Sequence, residues 1–376
     1  VYWIPRKNIS EAFVMFFRFA LGDAESGIVR SKVLLLFARY FLAFYFVFLS
    51  LLYKSVIPIS IVILSFVLYL VWSIKKNYKY VQQKEAIKVL PLLQLTADTA
   101  VLSGTIVGLL KRVKQCNYLS YLKQNKFLVT LILFYIVIIL LTLRWGIPNQ
   151  DHPFTYHMDE WHQSQAVRTV FTQGTSNIEG SANGSMLHFV IAGFYLIPFV
   201  VLGIVNPFQI NSSVTNLDIQ EKLFEVFRLN TLIFGVLSIF LFVYIAKKYF
   251  KLSTTLVTFL FIFNPLWLTL SGYFKYDIAL IFWILLGFLF ILKFVSNPNL
   301  RNFVIAGIVA SVSFAVKLSA IPLLPVYILA FFMYFPKPLK NLLSFFVGIV
   351  VYGAVFVLFG VPDLIFGAGD IYEYLD

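Results

Sequence analysis

The sequence predicts an all-α polytopic membrane protein with about nine transmembrane helices and a few interfacial or re-entrant ones. Three observations carry this. The 376 residues are 60% hydrophobic and 12% charged, with a mean hydropathy of +0.86, whereas soluble domains carry about twice that charged fraction. Apolar runs of about 17–22 residues recur, each long enough for the roughly 30 Å hydrocarbon core. The roughly ten-residue alternating segments of a membrane β-barrel are not seen. A net charge of +13 suits nucleic acid in principle. The lysines, however, gather in short links between apolar runs, as cytoplasmic loops require, so the expected partner is a lipid bilayer and not nucleic acid. Cys116 is the single cysteine, which excludes an internal disulfide and leaves the redox compartment open.

Taken in order, residues 1–27 read as an amphipathic helix capped at Ser10, with Phe13, Met15, Phe16, Phe17 and Phe19 on a membrane face. Runs 32–53 and 55–74 form a hairpin of spans. Stretch 75–88 sets five lysines against one glutamate and belongs in the cytoplasm. Run 90–110 is apolar but interrupted by Gln94, Asp98 and Thr99 and flanked by basic residues, so an interfacial or re-entrant helix is expected. Run 127–143 leads outward. Loop 144–185, with Asp151, Asp159, Glu160 and Glu179 against Arg168, belongs outside. Run 186–205 is expected to dip and return, broken near Pro198. Runs 229–246, 252–273, 277–292, 302–318, 321–335 and 342–360 then alternate in and out. Lysine-rich links fall inside, and Asp363, Asp370, Glu373 and Asp376 outside. The chain opens on Val1 and stops just past a span, as an internal piece of something longer would. Along the spans, charge collects at the outer ends and the middles are nearly bare.

Chemistry concentrates in 156–174, YHMDEWHQSQAVRTVFTQG. Asp159 and Glu160 are adjacent carboxylates flanked by His157, Trp161 and His162. On a helix, sequence neighbours point about 100° apart, so one of the pair faces any given pocket. Asp159 is the preferred general base, although it also suits a plain helix cap. The histidines match no zinc-helix spacing such as H-E-x-x-H. A hard divalent cation, Mg or Mn, on Asp159, Glu160 and Asp277 stays open. Asp277, beside Lys275 in GYFKYD, sits at the outer end of a span, where it would face Asp159. Lys317 and Arg228, also at outer ends, suit a lipid phosphate, the one as a point charge and the other as a fork. Trp161 is a candidate sugar-stacking ring, and the GTSNIEGSANGS run a cover or a linker. There is no P-loop and no Ser–His–Asp arrangement.

From Phe127 onward the order of a span, DEWHQSQAVRTVFTQG, FRLNTLIFGVLSIFLFVYIAKKYF, FNPLWLTLSGYFKYD and GIVASVSFAVKLSAIP resembles the GT-C membrane glycosyltransferases, in particular the dolichyl-phosphate-mannose–protein mannosyltransferase-like group. The resemblance implies an inverting enzyme that takes a sugar, mannose-like or another hexose, from a polyprenyl-phosphate donor on the outer face of the plasma membrane. The acceptor would be a glycan, lipid or protein hydroxyl. The acidic motif of the first outer loop is matched by Asp159 and Glu160, and a second acid by Asp277. The N-terminal YWIPRKNISEAFVMFFRFALGDAESG and its hairpin are similar to the membrane tail of family-2 glycosyltransferases. Met15 stands where those carry Gln, followed by Arg18 and Phe19. Two domains are expected, 1–115 and 116–376. The rival from another class is a transporter or flippase of a lipid-linked or polar solute, which would place charge and broken helices near mid-membrane.

Overall fold

The computed structural model describes residues 8–53, 55–115, 126–149, 151–152, 155–173, 186–205, 217–362 and 365. Cys116, the glycine-rich stretch 174–184 with Glu179, and Asp363, Asp370, Glu373 and Asp376 lie outside them. All regular structure among the described residues is helical. The chain divides into two units, Val1–Gln124 and Asn125–Asp376, against the expected division after residue 115.

The N-terminal unit holds α1 (Ile9–Glu25), α2 (Ser31–Tyr53), α3 (Val56–Val81) and α4 (Ala86–Gln115). Helix α1 starts two residues earlier than expected because Asn8, not Ser10, caps it: its side chain accepts from the Glu11 amide at 2.8 Å. The Ala12, Ala20 and Ala24 face of α1 is buried. A Cβ on Gly104 or Gly108 of α4 would lie 2.5 Å from the Phe17 carbonyl oxygen or 2.6 Å from that of Leu21, so only glycine lets the two backbones approach this closely.

Helix α4 is unbroken, and its Ala86–Arg112 stretch is long and apolar enough to cross a membrane. The re-entrant bend expected at 90–110 does not form. The polar interruption is absorbed sideways instead. Asp98 is 4% exposed and accepts from Arg39 at 2.5 Å, Tyr69 at 2.7 Å, Tyr40 at 3.0 Å and Gln94 at 3.0 Å. The span interiors here are therefore not bare. A charge among apolar helices persists where it is paired, and these partners lie 29 and 59 residues from Asp98, too far apart to be read as a pair. A cavity of about 470 Å³ opens between α2 and α3, with Arg39 and Tyr69 on a largely apolar wall.

The second unit holds α5 (Lys126–Leu141), α6 (Met158–Gln173), α7 (Met186–Val201), α8 (Leu217–Phe250), α9 (Thr254–Ile262), α10 (Pro265–Ser271), α11 (Tyr276–Ser296), α12 (Leu300–Val316), α13 (Leu323–Tyr334) and α14 (Leu342–Gly360). Three expectations change here. Helix α7 runs through Pro198 to Val201 instead of breaking there, and at about 24 Å it is shorter than a hydrocarbon core. Helix α8 is one rod of 34 residues, so Arg228 sits within it and not ahead of it. The expected span 252–273 is two helices, α9 and α10, bent by 63°. The residue before a proline avoids the α region; Asn264 is extended, caps α10 by accepting from the Trp267 amide, and Pro265 opens the new helix.

Among the described residues, six helices are long and apolar enough to cross a membrane, seven if the bent pair counts as one span, and four apolar helices are shorter. One core cluster packs α10 and α11 against α5, α8 and α9. It is built from Tyr135 and Ile139 of α5, Ile239 of α8, Ile262 of α9, Trp267 of α10 and Ile278 of α11. The Tyr135 hydroxyl donates to Ser271 at 2.8 Å inside it, and the bare Gly235 backbone makes room for that ring.

Candidate active site

Helix α6 presents its two acids in opposite ways. Glu160, Gln163, Ser164 and Val167 lie on the buried face, with Glu160 at 0% exposure. Asp159 and His162 are exposed. The roughly 100° step between neighbours thus separates a buried acid from an exposed one.

Glu160 belongs to a buried network. Arg228 donates to it as a fork, Nε to Oε1 and Nη2 to Oε2, both at 2.7 Å. Both side chains are 0% exposed. The remaining Nη1 donates to the carbonyls of Leu143 and Trp145, each at 2.7 Å. The guanidinium also stands 5.4 Å from the centre of the Tyr273 ring. Each guanidinium nitrogen of Arg228 is engaged and the side chain is fully buried, so it is not free for a lipid phosphate. Glu160 is likewise not free to act as a base. Together they tie α6, α8 and the turn that follows α5.

The same face of α6 holds the link between α10 and α11. Glu160 Oε1 accepts from the Phe274 amide and Gln163 Oε1 from the Tyr276 amide, both at 2.8 Å. Side chains three apart on a helix lie on one face, and they grip alternate amides of an extended stretch. Phe274 is clamped further by stacking on Phe227 at 4.3 Å. This grip fixes Lys275, which is extended at the N-terminus of α11, and Asp277 in the first turn. Gln163 and Tyr273 were not picked out from the sequence; the signal for Gln163 was its place one turn after Glu160.

Four charged groups then form an alternating row. Asp159 pairs with Lys275 at 2.8 Å, Lys275 lies 3.5 Å from Asp277, and Asp277 pairs with Lys317 at 2.9 Å. His157 Nε2 is 3.4 Å from the Lys275 ammonium. Lys317, extended at the end of α12, also lies 4.2 Å from the centre of the Tyr276 ring. Carboxylates from α6 and α11 therefore share one ammonium. The Asp159 side chain is 53% exposed and that of Lys275 10%. The hydrogen bond from Lys275, aided by its charge and those of His157 and His162, outweighs desolvation and holds the Asp159 carboxyl below its ordinary value. His162 is exposed on the next turn. Trp161 is half-buried and, among the described residues, stacks on no other ring.

These residues do not suit a divalent cation on Asp159, Glu160 and Asp277. Glu160 is consumed by Arg228, and the Lys275 ammonium holds the place between the two aspartates. Among the described residues no group of three His, Cys, Asp or Glu side chains is placed to hold a metal ion.

Residues 215–366 match the family described as Dolichyl-phosphate-mannose-protein mannosyltransferase. The chain is thereby similar to membrane glycosyltransferases of the GT-C type. The matched stretch contains Arg228, Lys275, Asp277 and Lys317, whereas Asp159 and Glu160 precede it, as does the whole N-terminal unit. No curated protein and no solved structure matches the chain.

Proposed function

We propose that the protein transfers a sugar from a polyprenyl-phosphate donor to an acceptor hydroxyl on the non-cytoplasmic side of a membrane, with inversion. The observation that carries this reading is the row Asp159–Lys275–Asp277–Lys317, two acids and two ammonium groups drawn from three elements. Asp159 takes the acceptor proton as that oxygen bonds to the anomeric carbon. The bond from that carbon to the phosphate oxygen breaks on the opposite face, and the polyprenyl phosphate leaves. Lys275 and Lys317 meet the charge that grows on the leaving phosphate.

The row also switches the base. In the free protein Lys275 holds Asp159 as a weak base. A donor phosphate that draws Lys275 away restores Asp159 toward the ordinary carboxylate range, where proton uptake is more favourable. Asp277 positions both lysines, His157 steadies Lys275, and Glu160, Gln163 and Arg228 hold the backbone beneath them. No step needs a divalent cation on the three acids.

The transporter reading draws its support from the pair of half-exposed Arg39 and buried Asp98. Asp98 already accepts from four donors, which suits a lock between helices better than a carrier site. The test is to incubate the full chain in proteoliposomes with a panel of labelled polyprenyl-phosphate sugars and candidate acceptors. Movement of label from one donor supports the transferase. Retention of every label on its lipid, in a folded protein, overturns it.

A further inference from the structure

Beside the charged row stands an aromatic pair that the transfer chemistry leaves unused. Trp145 is 58% exposed and Tyr156 is 55% exposed, and their rings meet edge to face at 5.2 Å. Rings at the end of a span often serve only as a membrane belt, free to lean toward headgroups. These two are held. Gly146 has a φ of +67°, and a Cβ there would lie 2.7 Å from the Tyr156 ring. The ring is thus pressed on bare backbone that glycine alone leaves open. The Tyr156 amide donates to the Gly146 carbonyl at 3.1 Å. The Asn149 side chain accepts from the Asp151 amide at 3.0 Å and the His152 amide at 2.8 Å, and the Asn149 amide donates to the His152 carbonyl at 2.8 Å. His152 then packs edge-on against Tyr156 at 4.6 Å. The backbone under Trp145 is fixed as well, since its carbonyl accepts from buried Arg228.

The pair is continuous with the reactive groups. Trp145 touches Tyr273 at 6.2 Å, Tyr273 touches His157 at 5.0 Å, and His157 reaches Lys275, the partner of Asp159. A rigid, half-exposed apolar surface with Asp151, Asn149 and His152 at its rim matches one chemistry well. A pyranose ring offers an apolar C–H face to an aromatic ring and hydroxyls to surrounding acceptors and donors. Two fixed rings also lose little conformational entropy when they take it.

We infer that Trp145 and Tyr156 form the acceptor subsite, and that the acceptor is a hexose ring of a glycan. The inference rests on the transferase reading above, and it replaces Trp161 as the sugar-stacking ring. The acceptor ring lies on the platform and directs one hydroxyl along Tyr273 and His157 toward Asp159.

The test uses the full chain in nanodiscs, with the heat of binding read by titration calorimetry as mannotriose, cellotriose, maltotriose or a Ser/Thr-containing peptide is added. A saturable change with at least one trisaccharide is expected in the wild type, lost in Trp145→Ala and Tyr156→Ala and largely kept in Trp145→Phe. Trp72→Ala in the N-terminal unit serves as the membrane-belt control and should bind as the wild type does. In transfer assays the two alanine variants should raise the acceptor KM by about tenfold, the scale of one lost ring contact, with kcat and the donor KM within about twofold. Trisaccharide binding that is absent, or equal in wild type and Trp145→Ala, overturns the platform, and so does binding of the peptide alone. Transfer without trisaccharide binding sinks the platform and spares the transferase. Trp145-dependent trisaccharide binding with no transfer from any donor does the reverse.

Discussion

Replacing Arg228 by Met separates a structural role from a substrate role. The substitution keeps the length and apolar stem of the side chain but strands the Glu160 carboxylate, which is 0% exposed. Glu160 keeps only the Phe274 amide at 2.8 Å, and the carbonyls of Leu143 and Trp145 lose their shared donor. Breaking a buried pair by removing one partner costs about 3–5 kcal/mol, because the remaining charge is left uncompensated. For a unit of this size, 1 kcal/mol moves Tm by about 2–4 °C, so a fall of about 10 °C is expected. The assay is thermal unfolding of the purified protein in detergent. Arg228→Met with Glu160→Gln removes the stranded charge yet keeps an acceptor for Phe274, and it should recover at least half of the loss. An unchanged Tm in Arg228→Met, together with a weakened donor KM, would refute the reasoning and restore Arg228 as a phosphate ligand.

Further expectations follow from the row and from the helix packing. Asp159→Asn should lower kcat by about 10²–10⁴, the range for a lost general base, with little change in Tm because the side chain is half exposed. Since Lys275 holds the Asp159 carboxyl below its ordinary value, the acid limb due to Asp159 in kcat/KM of the free enzyme should lie below that of an ordinary carboxylate. The sign is that of a depressed carboxylate: the ionised, active form persists above its folded value and is lost as pH falls through it. Lys275→Met should move that limb upward, and a pH–rate profile that does not move would count against the pairing. Gly108→Leu should push α1 from α4, because even the added Cβ lies 2.6 Å from the Leu21 carbonyl oxygen. The overpacking should cost about 1–3 kcal/mol, read as lower thermal stability, whereas Gly22→Ala, which meets no atom within 4 Å, should be nearly neutral.

Much of the architecture was legible because membrane spans announce themselves by length and apolarity. The run 342–360 coincides with α14 (Leu342–Gly360), and α5, α11 and α12 lie within a few residues of their expected bounds. The bend at Phe263–Asn264 was also in the sequence, as Asn264–Pro265, but the apolar composition on either side hid it. The division of labour between Asp159 and Glu160 was half legible: adjacency guaranteed two directions, and only the fold decided which direction led inward. That decision rests on partners 68 and 114 residues away, Arg228 and the Phe274 amide. An arginine at a span end reads alike whether it meets a headgroup or a buried glutamate. Asp98 was legible as a polar interruption but not as a lock, because Arg39 and Tyr69 come from other helices.

The central claim is that the acids sharing Lys275 perform sugar transfer, and single-turnover kinetics in proteoliposomes test it most directly. Loaded with the labelled polyprenyl-phosphate sugar that the wild type uses, Asp159→Asn should unfold at the wild-type temperature and bind the donor, yet leave the label on the lipid at least about a hundred times longer. Transfer by Asp159→Asn at the wild-type rate would contradict the account.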